Sequence, residues 1–201
     1  MAVTQLERTT QVSLTTRAGD TAWVSALAPG DQQPVREVFE GLSDRSRYFR
    51  FLASTPRLSG TAARHLADVD HQRHVALVAT VDGRTAGIGR YVRYAGNPRE
   101  ADIAIAVVDA QQRRGLGRLL LAALGAVASR SGVETFTYLV HPQNDACVAL
   151  LRPVAGLLTL SDGELVGSGP VPARLLPEEA ASQLVGLVRV TPTRWCRGAS
   201  T

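Results

Sequence analysis

The chain has no lysine: all 22 of its basic residues are arginine. With the alanine and glycine content, that reads as GC-rich codon usage and not as chemistry. Cysteine occurs only as Cys147 and Cys196, one in an expected helix and one near the tail. That distribution excludes a disulfide framework and a Cys-x-x-Cys metal site, and reduced thiols are expected. Long apolar runs are missing too, the stretches near 119–128 and 154–160 being too short and too interrupted to span a bilayer. The opening residues MAVTQLERTT show no basic-then-apolar leader pattern, so a cytoplasmic protein with no membrane partner is expected. A net charge of +4, scattered and without a basic stripe interleaved with aromatics, excludes nucleic acid as the expected partner. No internal repeat or low-complexity tract is present.

What is present is an aliphatic, ordinary globular composition, 45% hydrophobic and 20% charged over 201 residues. That length suits one core and is short for two. Residues 1–11 are expected to be a flexible N-terminal segment, 12–172 a single domain, and 173–201 a C-terminal extension, partly helical through PEEAASQLVGL. VSLTTRA and TAWVSAL, split by Gly19 and Asp20, read as a hairpin. Two helices follow. One is capped by Asp31 and carries Val35, Val38, Phe39 and Leu42 on one face; the other starts at Ser59. HVALVATV and TAGIGRYVRYAG flank the turn pair Asp82-Gly83, a type I′ signature, and EADIAIAVV adds a strand after Asn97-Pro98. Leu116, Leu119, Leu120, Ala123, Leu124 and Val127 then make one helical stripe that ends at Gly132. VETFTYLVH is a strand, residues from Asn144 to about Ala155 a short helix, and LLTL-SDGE-LVGSGPV a closing hairpin. The order predicts a mixed sheet with helices on its faces, an α+β (mixed α/β) domain and not a doubly wound one.

The chemistry concentrates in VVDAQQRRGLGRLL, where a strand gives way to two glycines and a helix. Glycine lets backbone approach a ligand, and free amides at a helix start, under the positive end of the helix dipole, make an anion site. A Walker loop fails, because Arg118 and Leu119 follow Gly117 where lysine and then serine or threonine are needed. A dinucleotide fingerprint matches weakly, since Leu120 stands at its third glycine and Glu134 begins the next strand instead of ending it. The pattern Gln/Arg-x-x-Gly-x-Gly/Ala is satisfied by Gln112-Arg113-Arg114-Gly115-Leu116-Gly117.

That loop in that context resembles the GCN5-related N-acetyltransferase (GNAT) superfamily, over about Trp23 to Leu160. LSDRSRYFRFL, VDHQRHVALVA, IGRYVR and VVDAQQRRGLG look, more narrowly, like the catalytic domain of bacterial protein lysine acetyltransferases. The resemblance implies a GNAT fold: a central, mostly antiparallel twisted sheet of six to seven strands flanked by helices. It also implies acetyl-CoA as co-substrate, with the pyrophosphate on the amides of Arg113, Arg114, Gly115, Leu116, Gly117 and Arg118. Pantetheine would run along the strand end at Val107 and Val108, with Asn144 contacting the cofactor. The acceptor would be a protein lysine or a small amine such as an aminoglycoside or polyamine; a sensor that binds acyl-CoA without turnover also stays open. Oligomeric state is open between monomer and homodimer.

An amine with a pKa near about 10.4 is mostly protonated at neutral pH, so transfer needs a base. Where relatives place a glutamate, this chain has Asp102. It is shorter by roughly 1.5 Å, a gap a bridging water could close; an edge carboxylate in solvent or paired with an arginine is the plainer alternative. Where many relatives have a tyrosine that protonates the leaving thiolate, this chain has Leu151, with Tyr138 and His141 as substitutes. Cys147 reads as a small buried hydrophobe and not a nucleophile. His65, His71 and His74 make a weak metal pattern, Asp70-His71 a candidate border of the acceptor cleft, and Arg45, Arg47 and Arg50 a helix face or a landing for an acidic protein.

Overall fold

A computed structural model describes residues 11–190; nearly all of the expected N-terminal segment, and the tail with Cys196, lie outside the described residues. Strands β1 (Val12–Thr15) and β2 (Thr21–Ala26) pair antiparallel around a turn with Gly19 at φ 90°. Helix α1 (Gln33–Glu40) carries Pro34 in its first turn, and the Asp31 carboxylate accepts from the Gln33 amide at 3.0 Å, one residue outside the formal cap, Gln32. Its buried stripe is Val35, Val38 and Phe39.

Three helices, not two, separate β2 from the next strand. The unexpected one, α2 (Asp44–Phe51), buries no residue fully and so shows no apolar stripe to read. It is held by its Ser43 cap, which accepts from the Ser46 amide at 3.3 Å, and by Arg47 stacked 4.4 Å over the Phe39 ring. Helix α3 (Gly60–Ala67) starts at Ser59, whose hydroxyl accepts from the Ala62 amide.

Strands β3 (His74–Val81) and β4 (Arg84–Arg93) form the predicted hairpin, with Asp82 at φ 50° and Gly83 at φ 73°, both left-handed as a type I′ turn requires. Then follow β5 (Glu100–Val107), α4 (Leu116–Arg130), β6 (Thr135–Val140), α5 (Asp145–Leu151), β7 (Leu158–Ser161), β8 (Glu164–Pro170) and α6 (Glu178–Val190). The strands form one sheet in the order β1-β2-β3-β4-β5-β6-β8-β7. Eight strands exceed the six to seven expected, because the hairpins at both ends join the same sheet.

One face of the sheet, through Ala76, Val78 and Ile88, packs on α1 and α3 with Val35, Val38 and Ala67. The other, through Val75, Leu77 and Tyr91, packs on α4 and α6. Helix α4 is buried on nearly all sides because the sheet lies under it and Leu184, Val185, Leu187 and Val188 of α6 join the same core. Gly89 lets it sit close, since a Cβ there would stand 2.9 Å from Leu124 Cδ1. Burying Leu120 and Leu124, both at 0% exposure, contributes about 1.5–3 kcal/mol each.

The one parallel pair among the described residues, β5 with β6, positions the site. It is zipped only at Glu100–Thr135, Ala101–Phe136 and Asp102–Thr137. Beyond that point β5 continues along β4 to Val107, while β6 continues along β8 to Val140. The two strands part in a V just past Asp102, and the second edge of β5 is left without a strand partner.

Candidate active site

The loop between β5 and α4 is rigidly braced from behind. A short 3-10 turn, Asp109–Gln111, leads to Gln112, whose side-chain amide donates to Val107 O at 3.1 Å, Asp109 Oδ1 at 2.9 Å and Ser46 Oγ at 3.3 Å. The other Asp109 oxygen accepts from the Ser43 amide, and the Asp109 amide donates to Gly41 O. Arg114 forks onto Asp20 at 2.6 and 3.0 Å, tying the loop to the β1–β2 turn. Gln112 therefore shapes the loop from within.

The front of the loop is open. Arg113 at φ 63° and Gly115 at φ 92° turn the chain, and Gly115 caps α4 without a side-chain bond. Among the described residues, none of the amides of residues 113–118 donates to a protein acceptor; the first helical bond is Leu119 N–H to Gly115 O. Six adjacent donors at a helix start are an anion cradle. A Cβ on Gly117 would meet only Leu150 Cδ2 at 3.6 Å and Val107 Cγ2 at 4.0 Å.

A groove of about 780 Å³ runs from this cradle into the V, lined by Arg113, Gly115, Gly117 and Arg118 at one end and by Asp102 and Ile103 at the other. That volume lies within the range of small-molecule sites, about 300–1,000 Å³. Val107 lines it, but Val108 does not: its amide donates to Ala86 O and its side chain fills the space that a Cβ on Gly41 would take. The strand edge on the groove is instead Ile103 through Val107, which sequence reasoning placed too near the loop because the length of the β5–β6 zipper cannot be read from β5 alone.

A family model described as "Acetyltransferase (GNAT) family" matches residues 39–156. The chain belongs to the GNAT acetyltransferase family. It is 31% identical over 147 residues to "Acetyltransferase PA5475" of Pseudomonas aeruginosa, covering 64% of this chain and 78% of that protein. It is 29% identical over 139 residues to "Acetyltransferase Pat" of Mycolicibacterium smegmatis, covering 68% of this chain but only 41% of the relative's length. The GNAT domain of S. lividans PAT superposes with a TM-score of 0.73 at 29% identity, over 80% of this chain and 96% of that one.

In this GNAT chain Asp102 stands at the apex of the V and opens into the groove. Burial of its surroundings raises its carboxyl above the ordinary aspartate value, with the Arg50 and Arg90 guanidinium groups pulling the other way. Arg90 rises from β4 on the same sheet face, one register step away, since Val92 pairs with Asp102 and Arg90 with Ala104. Arg50 comes from the last turn of α2. The sequence names Arg50 only within a trio, as a helix face or a landing for an acidic protein, and does not single out Arg90.

Asn144 lines the groove and caps α5, its Oδ1 accepting from the Cys147 amide at 3.1 Å. Leu151 is buried at 4% exposure and offers no proton. The Tyr138 hydroxyl is buried in the groove wall without a hydrogen-bond partner, and burial pushes its pKa up to about 12. His141 packs edge-on against Tyr48 and tilted against Phe49, with ring centroids at 5.4 and 5.1 Å, and does not line the groove. Burial pushes the Cys147 thiol up to about 11, which keeps it protonated and poorly nucleophilic. Among the described residues no cluster could hold a metal. Asp70 closes a turn by accepting the amides of Gln72, Arg73 and His74, and neither it nor His71 lines the groove.

Proposed function

We propose that the protein transfers the acetyl group of acetyl-CoA to a primary amine by direct attack, with a protein lysine the first acceptor to test. The observation that carries this is the row of unpaired amides at residues 113–118 opening into a groove that ends at the splayed edge of β5. The amides of Arg113, Arg114, Gly115, Leu116, Gly117 and Arg118 hold the pyrophosphate, with the helix dipole adding to their field. The Ile103 to Val107 edge takes the pantetheine arm as an added strand, with Asn144 beside it.

Asp102 then accepts the ammonium proton. The free amine attacks the thioester carbonyl carbon, a C–N bond forms, the nitrogen gives its second proton to water, the C–S bond breaks, and the thiolate leaves. A base with a raised pKa and a cleft position suits this task. Tyr138, at about 12, is a weaker acid than an ordinary thiol near about 8.5, so it offers the thiolate a hydrogen bond while water supplies the proton. Thiol release from acetyl-CoA, measured against a panel of lysine-bearing proteins and small amines, tests the reading. Because the chain has no lysine, acetyl-lysine found afterwards belongs to the acceptor. Acetyl-CoA binding with no turnover on any amine would favour the sensor reading and reject the enzyme.

A further inference from the structure

Beside the groove lies a smaller compartment between α1, α2 and α3 and the sheet face, with about 40 Å³ of free space. Leu42, Arg50, Phe51, Ala104 and Ala106 line both, so the two communicate at the end where transfer takes place in the reading above, on which this inference rests. The compartment is apolar except for two cations. Arg90, at 8% exposure, donates to Leu66 O from one nitrogen. Arg50 is half-buried where it lines the groove, makes no hydrogen bond or ion pair with any described residue and only overlies the Phe51 ring at 5.2 Å. Among the described residues Asp102 is the carboxylate that acts on both, and neither arginine bridges to it.

Removing a guanidinium group from water is costly unless it is paired, fully for Arg90 and in part for half-buried Arg50. Two cations beside one carboxylate leave one positive charge unmatched at the transfer end of the groove. The space suffices for one small polar group, a single water needing about 10–15 Å³. From this we infer that Arg50 and Arg90 form a carboxylate-binding subsite, occupied by a carboxylate of the reacting partners. Two sources have that chemistry: an acceptor that carries its carboxylate near the amine, as an amino acid does, or a donor whose acyl chain ends in one, as a succinyl group does. Either balances the charge, and in neither is the carboxylate consumed; the bonds made and broken are those of acyl transfer.

Two arms on the full chain distinguish the sources. In the donor arm, calorimetry compares succinyl-CoA with butyryl-CoA, which has the same chain length and no carboxylate. In the acceptor arm, thiol release from acetyl-CoA compares amino acids with their carboxamides. One arm is expected to favour the carboxylate by about tenfold or more, the range of a charge-assisted hydrogen bond. Arg50→Gln is expected to reduce that preference, read as a ratio so that a general loss of activity cancels, and Arg50→Lys to restore part of it. No preference for the carboxylate in either arm overturns the subsite. So does a preference that survives both Arg50→Gln and Arg90→Gln in proteins that melt like the parent. An unfolded Arg50→Gln leaves the decision to the parent protein and Arg50→Lys. Acetyl-CoA that binds without any carboxylate preference defeats only this inference, whereas acetyl-CoA that does not bind defeats the proposed function.

Discussion

Replacing Gly117 by alanine should raise stability slightly and leave ligand affinity nearly unchanged. Gly117 lies in the first turn of α4, at a φ that is not left-handed, and a methyl there meets nothing closer than Leu150 Cδ2 at 3.6 Å. The folded chain accommodates it without strain. Alanine also costs less conformational entropy than glycine in a helix, a gain of up to about 1 kcal/mol, smaller in a first turn. For a domain of this size, half of that raises Tm by about 1–2 °C. The loop pattern admits alanine at this position, so the methyl should leave the amide row open and keep the charge-assisted hydrogen bonds to a bound phosphate, each about 1.5–3 kcal/mol. Calorimetric titration should show acetyl-CoA affinity within about threefold of the parent, alongside an unchanged or higher melting temperature. An affinity weakened about tenfold or more would show that the methyl stands between the amides and the phosphate. A clear fall in Tm would show that the start of the helix is misread.

Asp102→Asn should lower kcat about 10²- to 10⁴-fold at neutral pH while acetyl-CoA binding stays within about twofold of the parent. In the parent, kcat/KM should fall as pH drops through a carboxyl pKa above the ordinary aspartate value, because only the ionised base accepts a proton; a full rate in the asparagine variant removes Asp102 from the mechanism. Burial, helped by nearby Arg90, lowers the His74 pKa from 6.5 to about 4. The unfolded chain therefore binds a proton that the folded chain refuses, and the stability this group allows is complete above about pH 6.5 and declines toward pH 4. Urea midpoints across that window should show the slope, and His74→Gln should flatten it. Leu184→Ala, at a position with 0% exposure between α6 and the core, should cost about 2–5 kcal/mol in chemical denaturation; a negligible loss would show that α6 does not belong to the core.

Much of this architecture can be read from local pattern. The Asp82-Gly83 turn, the Ser59 cap and the Leu116 to Val127 stripe carry their own chemistry, and each forms where that chemistry predicts. The loop is legible for the same reason, as a strand, paired glycines and an amphipathic helix within one short segment. Long-range relations are not. Helix α2 escapes because DRSRYFRF has no apolar stripe and is fixed by Arg47 on Phe39 and by Gln112 reaching Ser46 across 66 residues. The removal of Val108 from the groove follows from Gly41, which packs against it from far earlier in the chain. The placement of Arg50 beside Arg90 is not legible because arginine is ordinarily a surface residue, and nothing local shows that three helices close over these two.

The most direct measurement is calorimetric titration of the whole chain with acetyl-CoA and, separately, with 3′-dephospho-CoA and free pantetheine. The account predicts that acetyl-CoA and dephospho-CoA, which carry the diphosphate, both bind with heat and raise Tm, while pantetheine binds far more weakly. Equal binding of pantetheine, or no heat from acetyl-CoA at millimolar concentration, would contradict a diphosphate held by the amides of residues 113–118.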